Sequence, residues 1–580
     1  MPNHGRRLNG PQDTGRRYRN LSRPQYGIAH VVNQHVPLRD GVELLADVHR
    51  PTPAGRYPAL IAASPYPRQM QDLGAPAGFI EAGATEFWVS RGYVHVIANV
   101  RGTGGSGGTF GFFDAQERRD MYDLVEWVAA QPWCDGNVGM IGISYFAMTQ
   151  LEAAVEKPPH LKAIFPVAVT ADLFDAASHH GLASSSFITP FLSMMGLTSD
   201  RSDAFWRRNP LITLARRVLN RPNLHQKFAT MNGEAAVTMM RVLLKLPHNP
   251  HPWDDLWLDT MVRHPLRDAW WEERNVLPLL KDVDIPVYLG CDWENVPLHL
   301  PSTFAAWNAL QHNPNVRMAM LGRFGLTWPW ESLHTEALAW FDHWLRGADT
   351  GIMDGPAVRY VLPGADGWHT APTWPPAATY RHWALRADGS LSDTEGAPGH
   401  REYLTLGIGL NRAQPSPIDP PASLTWTSAP LSTDLDVVGA IELRLKASAT
   451  AADTAWIATL QDVSSDNEVT DVTAGWVRAS LRTVDDTASH EGAPVLPCDE
   501  AVAVPVGEVV TYRIPLVPNA RRFRTGHRVR LTLCSDDQQP GTPAIMNFRH
   551  AGVGTSTVNT VFSGSRLLLP VLDSPRGAVS

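Results

Sequence analysis

The sequence predicts a molecule in two parts. An α/β unit, built on a mostly parallel sheet with a helical insertion in its chain, is followed by an all-β unit. Three observations predict it. At 580 residues the chain is too long for one hydrophobic core. From about residue 35 to 172, and again from 275 to 351, short Val- and Ile-rich runs alternate with helical periodicities, as in a parallel sheet covered by helices on both faces. From about 352 onward helical periodicity is scarce, and alternating stretches are separated by Gly, Pro, Asp and Ser, as in a sandwich or jelly roll.

Residues 1–27 begin as the polar, Arg-rich "MPNHGRRLNGPQDTGRRYRNLSRPQ", with no apolar core. They read as a solvated tail and not as a secretory leader. In 28–172, "YPALIAASPY" (57–66), "YVHVIANV" (93–100), "VGMIGIS" (138–144) and "LKAIFPVAV" (161–169) suit strands buried on both faces. Met121, Leu124, Val125 and Val128 recur at helical spacing, and a second helix continues through Glu152 to Glu156. Residues 173–274 break that rhythm. Apolar helix-like pieces such as "AAVTMMRVLLKL" (235–246) lie among His, Asn, Pro and Trp, which predicts an inserted helical cap. The alternation resumes in 275–351 with "IPVYLGCDW" (285–293) as strand, "STFAAWNAL" (302–310) as helix and "VRMAML" (316–321) as strand. "ESLHTEALAWFDHWLRG" (331–347) closes it as an amphipathic helix ended by a glycine. In 352–580, "AIELRLKAS", "WIATLQDV", "VVTYRIPLV" and "HRVRLTLCS" supply strands of the β unit.

Composition removes several function classes. Hydrophobic content of 44% with 19% charged residues is that of a globular protein. A formal net charge of −8 gives no reason to expect nucleic acid as a partner. No apolar run approaches a membrane span, so no membrane partner is expected. Cys134, Cys291, Cys498 and Cys534 are far apart without metal-ligand spacing, which suits a reduced, cytoplasmic setting. With no H-E-x-x-H and no Cys/His cluster, neither a metal nor another cofactor is expected. Gly102 to Gly107 satisfies G-x-G-x-x-G after a strand, but "TFGFFDAQ" intervenes before any helix, so a dinucleotide site is not read there. The tryptophans clustered between 253 and 385 read mainly as packing.

Gly142-Ile143-Ser144-Tyr145 ends a buried strand and opens a helix. A nucleophilic serine needs such a corner, because the tight turn lifts its hydroxyl above the sheet and turns the next backbone N–H toward a developing oxyanion. A glycine two residues after the serine would complete G-x-S-x-G, but Phe146 stands there. On this stretch alone, an ordinary strand–helix junction is the competing reading.

The wider sequence adds a resemblance. "VIANVRGTGGSGGTF", "DMYDLVEWVAAQPWCDGNVGMIGISY" and "LAWFDHWLRG" resemble the cocaine esterase and X-Pro dipeptidyl peptidase superfamily of serine hydrolases. "APLSTDLDVVGAIELRLKASATAADTAWIATLQDV" and "FRTGHRVRLTL" are similar to that family's C-terminal jelly roll. The resemblance covers about 35 to 570 and implies an α/β-hydrolase domain (28–172 and 275–351), a helical cap (173–274) and a β jelly roll (352–580). It maps Ser144 onto the nucleophile, the Tyr145 N–H onto one oxyanion donor, and Tyr66, in Pro65-Tyr66, onto the family's tyrosine hydroxyl donor. It also explains the loop that begins with Arg101, which is expected to tie to neighbouring carboxylates.

The same resemblance shows two departures. The family's acid, an Asp two residues after a Trp, falls on Asn295 in "DWEN". The family's histidine, in a Gly-Pro-Trp-x-His block, falls on Leu326 in "LGRFGL". Asn can still orient a histidine, but leucine accepts no proton. Substitute bases are His299, at the start of a helix, and His334. His334 shares a helical face with Leu338, Phe341 and Leu345 and reads as a core histidine. His343 reads as structural, and His179-His180 as a polar surface turn or a pair reaching over the pocket. Asp292 and Glu294 flank the acid position.

The expected activity is therefore hydrolysis of a small-molecule ester or a peptide through an acyl-enzyme on Ser144, with an atypical or incomplete triad. The alternative is a hydrolase-fold binding protein that has lost efficient hydrolysis. An acyl transferase would share the missing base, and homo-oligomers occur among such proteins. Preference for X-Pro peptides would need an acidic group for a free amino terminus, for which "WDDLWLD" and "WWEER" are candidates.

Overall fold

The computed structural model describes residues 16–71, 81–199, 201, 203–210, 212–214, 250–322, 333–406, 422–538, 542–543, 545 and 548–572. One sheet has ten strands: β1 (Ile28–Pro37), β2 (Glu43–Pro51), β3 (Tyr57–Ser64), β4 (Val94–Asn99), β5 (Cys134–Ile143), β6 (Leu161–Val167), β9 (Val287–Asp292), β10 (Val316–Leu321), β11 (Val358–Val361) and β12 (Trp368–Ala371). A two-strand hairpin, β7 (Ser178–His179) and β8 (Leu182–Ala183), lies apart from it. Across the large sheet the order is β1-β2-β4-β3-β5-β6-β9-β10-β11-β12. Pairing is parallel from β4 through β11, and antiparallel where β1, β2 and β12 finish the edges.

The central strands form where the sequence has uninterrupted apolar runs, because helices cover both faces and leave no side to alternate toward water. Every residue of β4 and β9 is buried. Helix α1 (Ala115–Ala129) turns Met121, Leu124, Val125 and Val128 inward, and Asp114 caps it by accepting from the Glu117 N–H. Helix α2 (Tyr145–Glu156) follows β5 directly. The cap stretch includes α3 (Ser185–Thr198) and α4 (Trp253–Leu258), with 215–249 outside the described residues. After β9 comes α5 (Leu300–Ala309), and after β10 comes α6 (His334–Arg346), stopped by Gly347 at φ 69°.

The β domain is a separate sheet of eleven strands from β13 (Thr379–Leu385) to β23 (Arg566–Val571). Two features differ from the sequence reading. Strands β11 and β12 belong to the α/β sheet, so that sheet runs past residue 352 to Ala371. Residues 16–27 are not a solvated tail: Arg19 pairs with Asp349 (2.7 Å) and Asp354 (3.0 Å), and Asp342 accepts from the Ser22 N–H (2.7 Å). Among the described residues no helix is long and apolar enough to cross a membrane, and no group of three or more His, Cys, Asp or Glu side chains is placed to hold a metal.

Candidate active site

Ser144 stands between β5 and α2 with φ 59° and ψ −118°, a backbone state that a non-glycine residue adopts only where its surroundings impose it. The corner is held from three sides. The Ser144 N–H donates to the Val167 carbonyl at the end of β6 (3.0 Å), and the Ile143 N–H donates to the Glu81 carbonyl (3.2 Å). The Ser144 carbonyl accepts from the Ala147 and Met148 N–H groups, starting α2. Gly142, at φ 134°, shows why the sequence tolerates Phe146 two residues after the serine. A Cβ at 142 would come within 2.3 Å of the Phe146 Cβ, so the glycine before the corner makes room for the phenylalanine after it.

Tyr66 is 4% exposed on the loop after β3, and its hydroxyl is hydrogen-bonded to the Ser144 side chain. Burial, reinforced by the nearby Glu81, raises its phenol well above the usual range, so it stays a neutral donor. Its backbone is fixed by Asn99, whose Nδ2 donates to the Tyr66 carbonyl (2.8 Å) and the Ser64 carbonyl (3.2 Å). Asn99 in turn leans on the glycine-rich loop, since a Cβ on Gly104 would come within 2.0 Å of the Asn99 Oδ1. That loop is also fastened by Arg101, which reaches Asp120 (2.7 Å) and Asp40 (2.8 Å), as the sequence reading expects. The G-x-G-x-x-G stretch thus serves as a brace beneath Tyr66.

The Tyr145 N–H lies in the first turn of α2, where no intrahelical acceptor exists. The Tyr145 ring stacks on Phe113 (4.2 Å between centroids) and its hydroxyl donates to both Glu117 oxygens (2.8 and 3.0 Å). Phe110, packed on Trp253 of α4 (4.9 Å), and Phe112, packed on Phe191 of α3 (5.6 Å), continue an aromatic wall toward the cap. The structure therefore brings Ser144, Tyr66 and Tyr145 together.

Asn295 follows β9 and is 4% exposed. Its Nδ2 donates to Asp292 Oδ1 at 2.6 Å, and among the described residues its buried Oδ1 has no hydrogen-bond partner. Its amide nitrogen thus faces Asp292, and among the described residues no imidazole bonds its side chain. Leu326 lies outside the described residues. His299 places Nδ1 against Thr170 Oγ1 (3.1 Å), and burial pushes its imidazole down to about 3. His334 accepts from the Ala84 N–H (3.4 Å), stacks on Phe87 (4.7 Å) and is also pushed down to about 3 by burial. Bases this weak accept a proton poorly at neutral pH. His343 points Nδ1 at the Ala348 carbonyl (3.0 Å), a structural contact. His179 is no surface turn: it is 4% exposed, because β7 is covered by Trp476 of the β domain.

Sequence reasoning missed Asn99 and Glu81. Asn99 had a signal, being a polar residue at the end of an apolar run. Glu81 had none: it is 1% exposed, burial raises its carboxyl well above the usual range, and its placement depends on long-range packing.

Comparison with known proteins agrees with this geometry. Residues 40–325 match the X-Pro dipeptidyl-peptidase (S15) family, the match ending one residue before Leu326, and 350–552 match the X-Pro dipeptidyl-peptidase C-terminal non-catalytic domain. A cocaine esterase of Rhodococcus sp. is 27% identical, over 93% of this chain and 98% of its own. A CocE/NonD family hydrolase of Staphylococcus aureus superposes with a TM-score of 0.72 at 20% identity, covering 98% of this chain and all of the other. An α-amino acid ester hydrolase superposes at 0.69 with 18% identity, covering 97% and 99%. With both halves matched in order and the hydrolase corner in place, the chain belongs to the cocaine esterase and X-Pro dipeptidyl peptidase superfamily of α/β-hydrolase fold proteins.

Proposed function

We propose that the chain is a slow esterase that acylates Ser144, with Tyr66 and the Tyr145 N–H stabilising the oxyanion. The observation that carries this is the Ser144 hydroxyl, lifted by a left-handed backbone and hydrogen-bonded to a buried, neutral tyrosine. As the hydroxyl adds to a carbonyl, negative charge forms where both donors point, and the dry surroundings strengthen them. Leucine at 326 accepts no proton, so the serine lacks the base that the family carries at that position. Removal of a triad base costs about six orders of magnitude and leaves about 10³–10⁴ over water. Esters of acidic alcohols, which depart without a proton, are therefore favoured over amides. Of the acids considered for a free amino terminus, Asp259 pairs with Arg263 (2.8 Å), Glu272 with Arg267 (3.3 Å) and Glu273 with Arg274 (3.2 Å). This too favours an ester over an X-Pro peptide.

A second reading, a binding protein on a hydrolase scaffold, is favoured by the Asn295 amide bound to Asp292 and by the two low histidines. A fluorophosphonate labelling time course on the protein and on Ser144→Ala, with p-nitrophenyl esters of short acids assayed alongside, separates the two. Labelling and slow turnover, both abolished by Ser144→Ala, support the esterase. No labelling above the variant leaves the binding protein.

A further inference from the structure

Away from Ser144, three buried side chains from two parts of the chain form one hydrogen-bonded row that ends on the acid loop. His550 Nδ1 lies 2.6 Å from Asp537 Oδ2, and His550 Nε2 lies 2.6 Å from His179 Nδ1. His179 Nε2 lies 2.5 Å from the Pro297 carbonyl oxygen. Asp537, His550 and His179 are 2%, 3% and 4% exposed. Asp537 and His550 belong to the β domain, His179 to β7, and Pro297 to the segment between Asn295 and His299.

Counting protons constrains this row. A carboxylate and a carbonyl only accept, so each of the three contacts needs one proton between its heavy atoms. Two neutral imidazoles carry two protons; the row needs three. All contacts are satisfied when His550 is doubly protonated, donating from Nδ1 to Asp537 and from Nε2 to His179, while His179 donates from Nε2 to Pro297. We propose that His550 is a buried imidazolium paired with Asp537, that His179 is the neutral Nε2–H tautomer, and that the row is a positioning device fixing the acid loop to the β domain.

Burial pushes His179 well below the usual histidine range, which makes it the ring that stays neutral. The groups facing the row are His180 on the hairpin and Asp536, Arg549 and Cys534 on the β domain, while the His299 ring, two residues after Pro297, turns to Thr170. Arg549 is hydrogen-bonded to the Asp537 carbonyl, and the second Asp537 oxygen accepts the His550 N–H (3.0 Å), so the carboxylate is held in place.

The positioning role rests on Ser144 being the active centre; the protonation does not. The test uses the full chain labelled with ¹⁵N-histidine, with His550→Gln and Asp537→Asn assigning the signal among the 22 histidines. One imidazole carrying protons on both nitrogens, one shared with Asp537 and one with His179, is expected in the wild type and is lost in both variants. Its absence from the wild type overturns the proposal, and this arm needs no variant to fold. Amide exchange of 293–300 is the second readout. It is expected to quicken about tenfold or more in His179→Ala and to recover in His179→Gln, whose amide restores a donor; unchanged exchange in His179→Ala overturns the positioning role. Neither readout requires turnover, so failure of Ser144 to label remains a separate result.

Discussion

Tyr66→Phe removes one oxygen and leaves the rest of the site standing. The ring's edge contacts with Tyr145 (6.2 Å) and Phe146 (5.8 Å) need no hydroxyl, and Asn99 holds the backbone carbonyl whatever the side chain. In the resting state the variant loses a neutral hydrogen bond to Ser144, which contributes about 1 kcal/mol. In the transition state it loses a bond to developing negative charge in a dry site, for which single oxyanion donors contribute about 2.7–4 kcal/mol. The difference, about 2–3 kcal/mol, slows acylation about 30- to 150-fold at 1.36 kcal/mol per decade. The assay is the second-order rate of fluorophosphonate labelling at Ser144, because phosphonylation builds charge on the same oxygen position. Thermal unfolding of the same variant checks that the fold is retained. Labelling of Tyr66→Phe at the wild-type rate, with an unchanged melting temperature, would refute the oxyanion role.

Other consequences follow from the same geometry. Gly104→Ala drives a Cβ into Asn99 at a left-handed position (φ 56°), so labelling of Ser144 should fall at least as far as in Tyr66→Phe, with a strain cost of about 1–3 kcal/mol visible in the melting temperature. Glu117, pushed up to about 8 chiefly by burial, is an acid whose folded pKa exceeds its unfolded value. Its stability contribution is full below about 4.5 and is lost as pH rises toward 8; Glu117→Gln should flatten the fall in melting temperature across that window while keeping an acceptor for the Tyr145 hydroxyl. Leu326→His with Asn295→Asp and Asp292→Asn, which installs the family's base and acid and removes the competing carboxylate, should raise p-nitrophenyl ester turnover by at least about 100-fold, whereas Asn295→Asp alone should raise nothing.

The parts of the fold that were legible are those where neighbours in sequence decide the outcome. Buried parallel strands announce themselves as apolar runs, and β10 has the limits its six apolar-rich residues suggest. Edge strands do not: β1 alternates with polar residues such as His30, Asn33 and Gln34, and β11 and β12, with four residues each, resemble strands of the domain that follows. Arg19 reads as tail because its partners, Asp349 and Asp354, lie some 330 residues away. His179 looks like a turn residue for the same reason: its surroundings, Trp476, His550 and Pro297, come from elsewhere in the chain.

The site divides along the same line. The strand–helix corner at Ser144 is local and shows in the sequence, Pro65-Tyr66 enters only through the family resemblance, and the reason for Asn295 is not local. Its Nδ2 sits 2.6 Å from a carboxylate oxygen of Asp292, both residues nearly closed to water. An aspartate at 295 would set two carboxylates against each other in that space, and they would have to share a proton or spread apart. An acid that holds a proton cannot orient an imidazole and stabilise its charge. With Asp292 in place, asparagine is the residue that keeps this loop closed, and the acid position cannot be restored by one substitution. The two departures therefore belong together: a chain without a histidine at 326 has no imidazolium to balance, and the buried amide at 295 stabilises Asp292 instead.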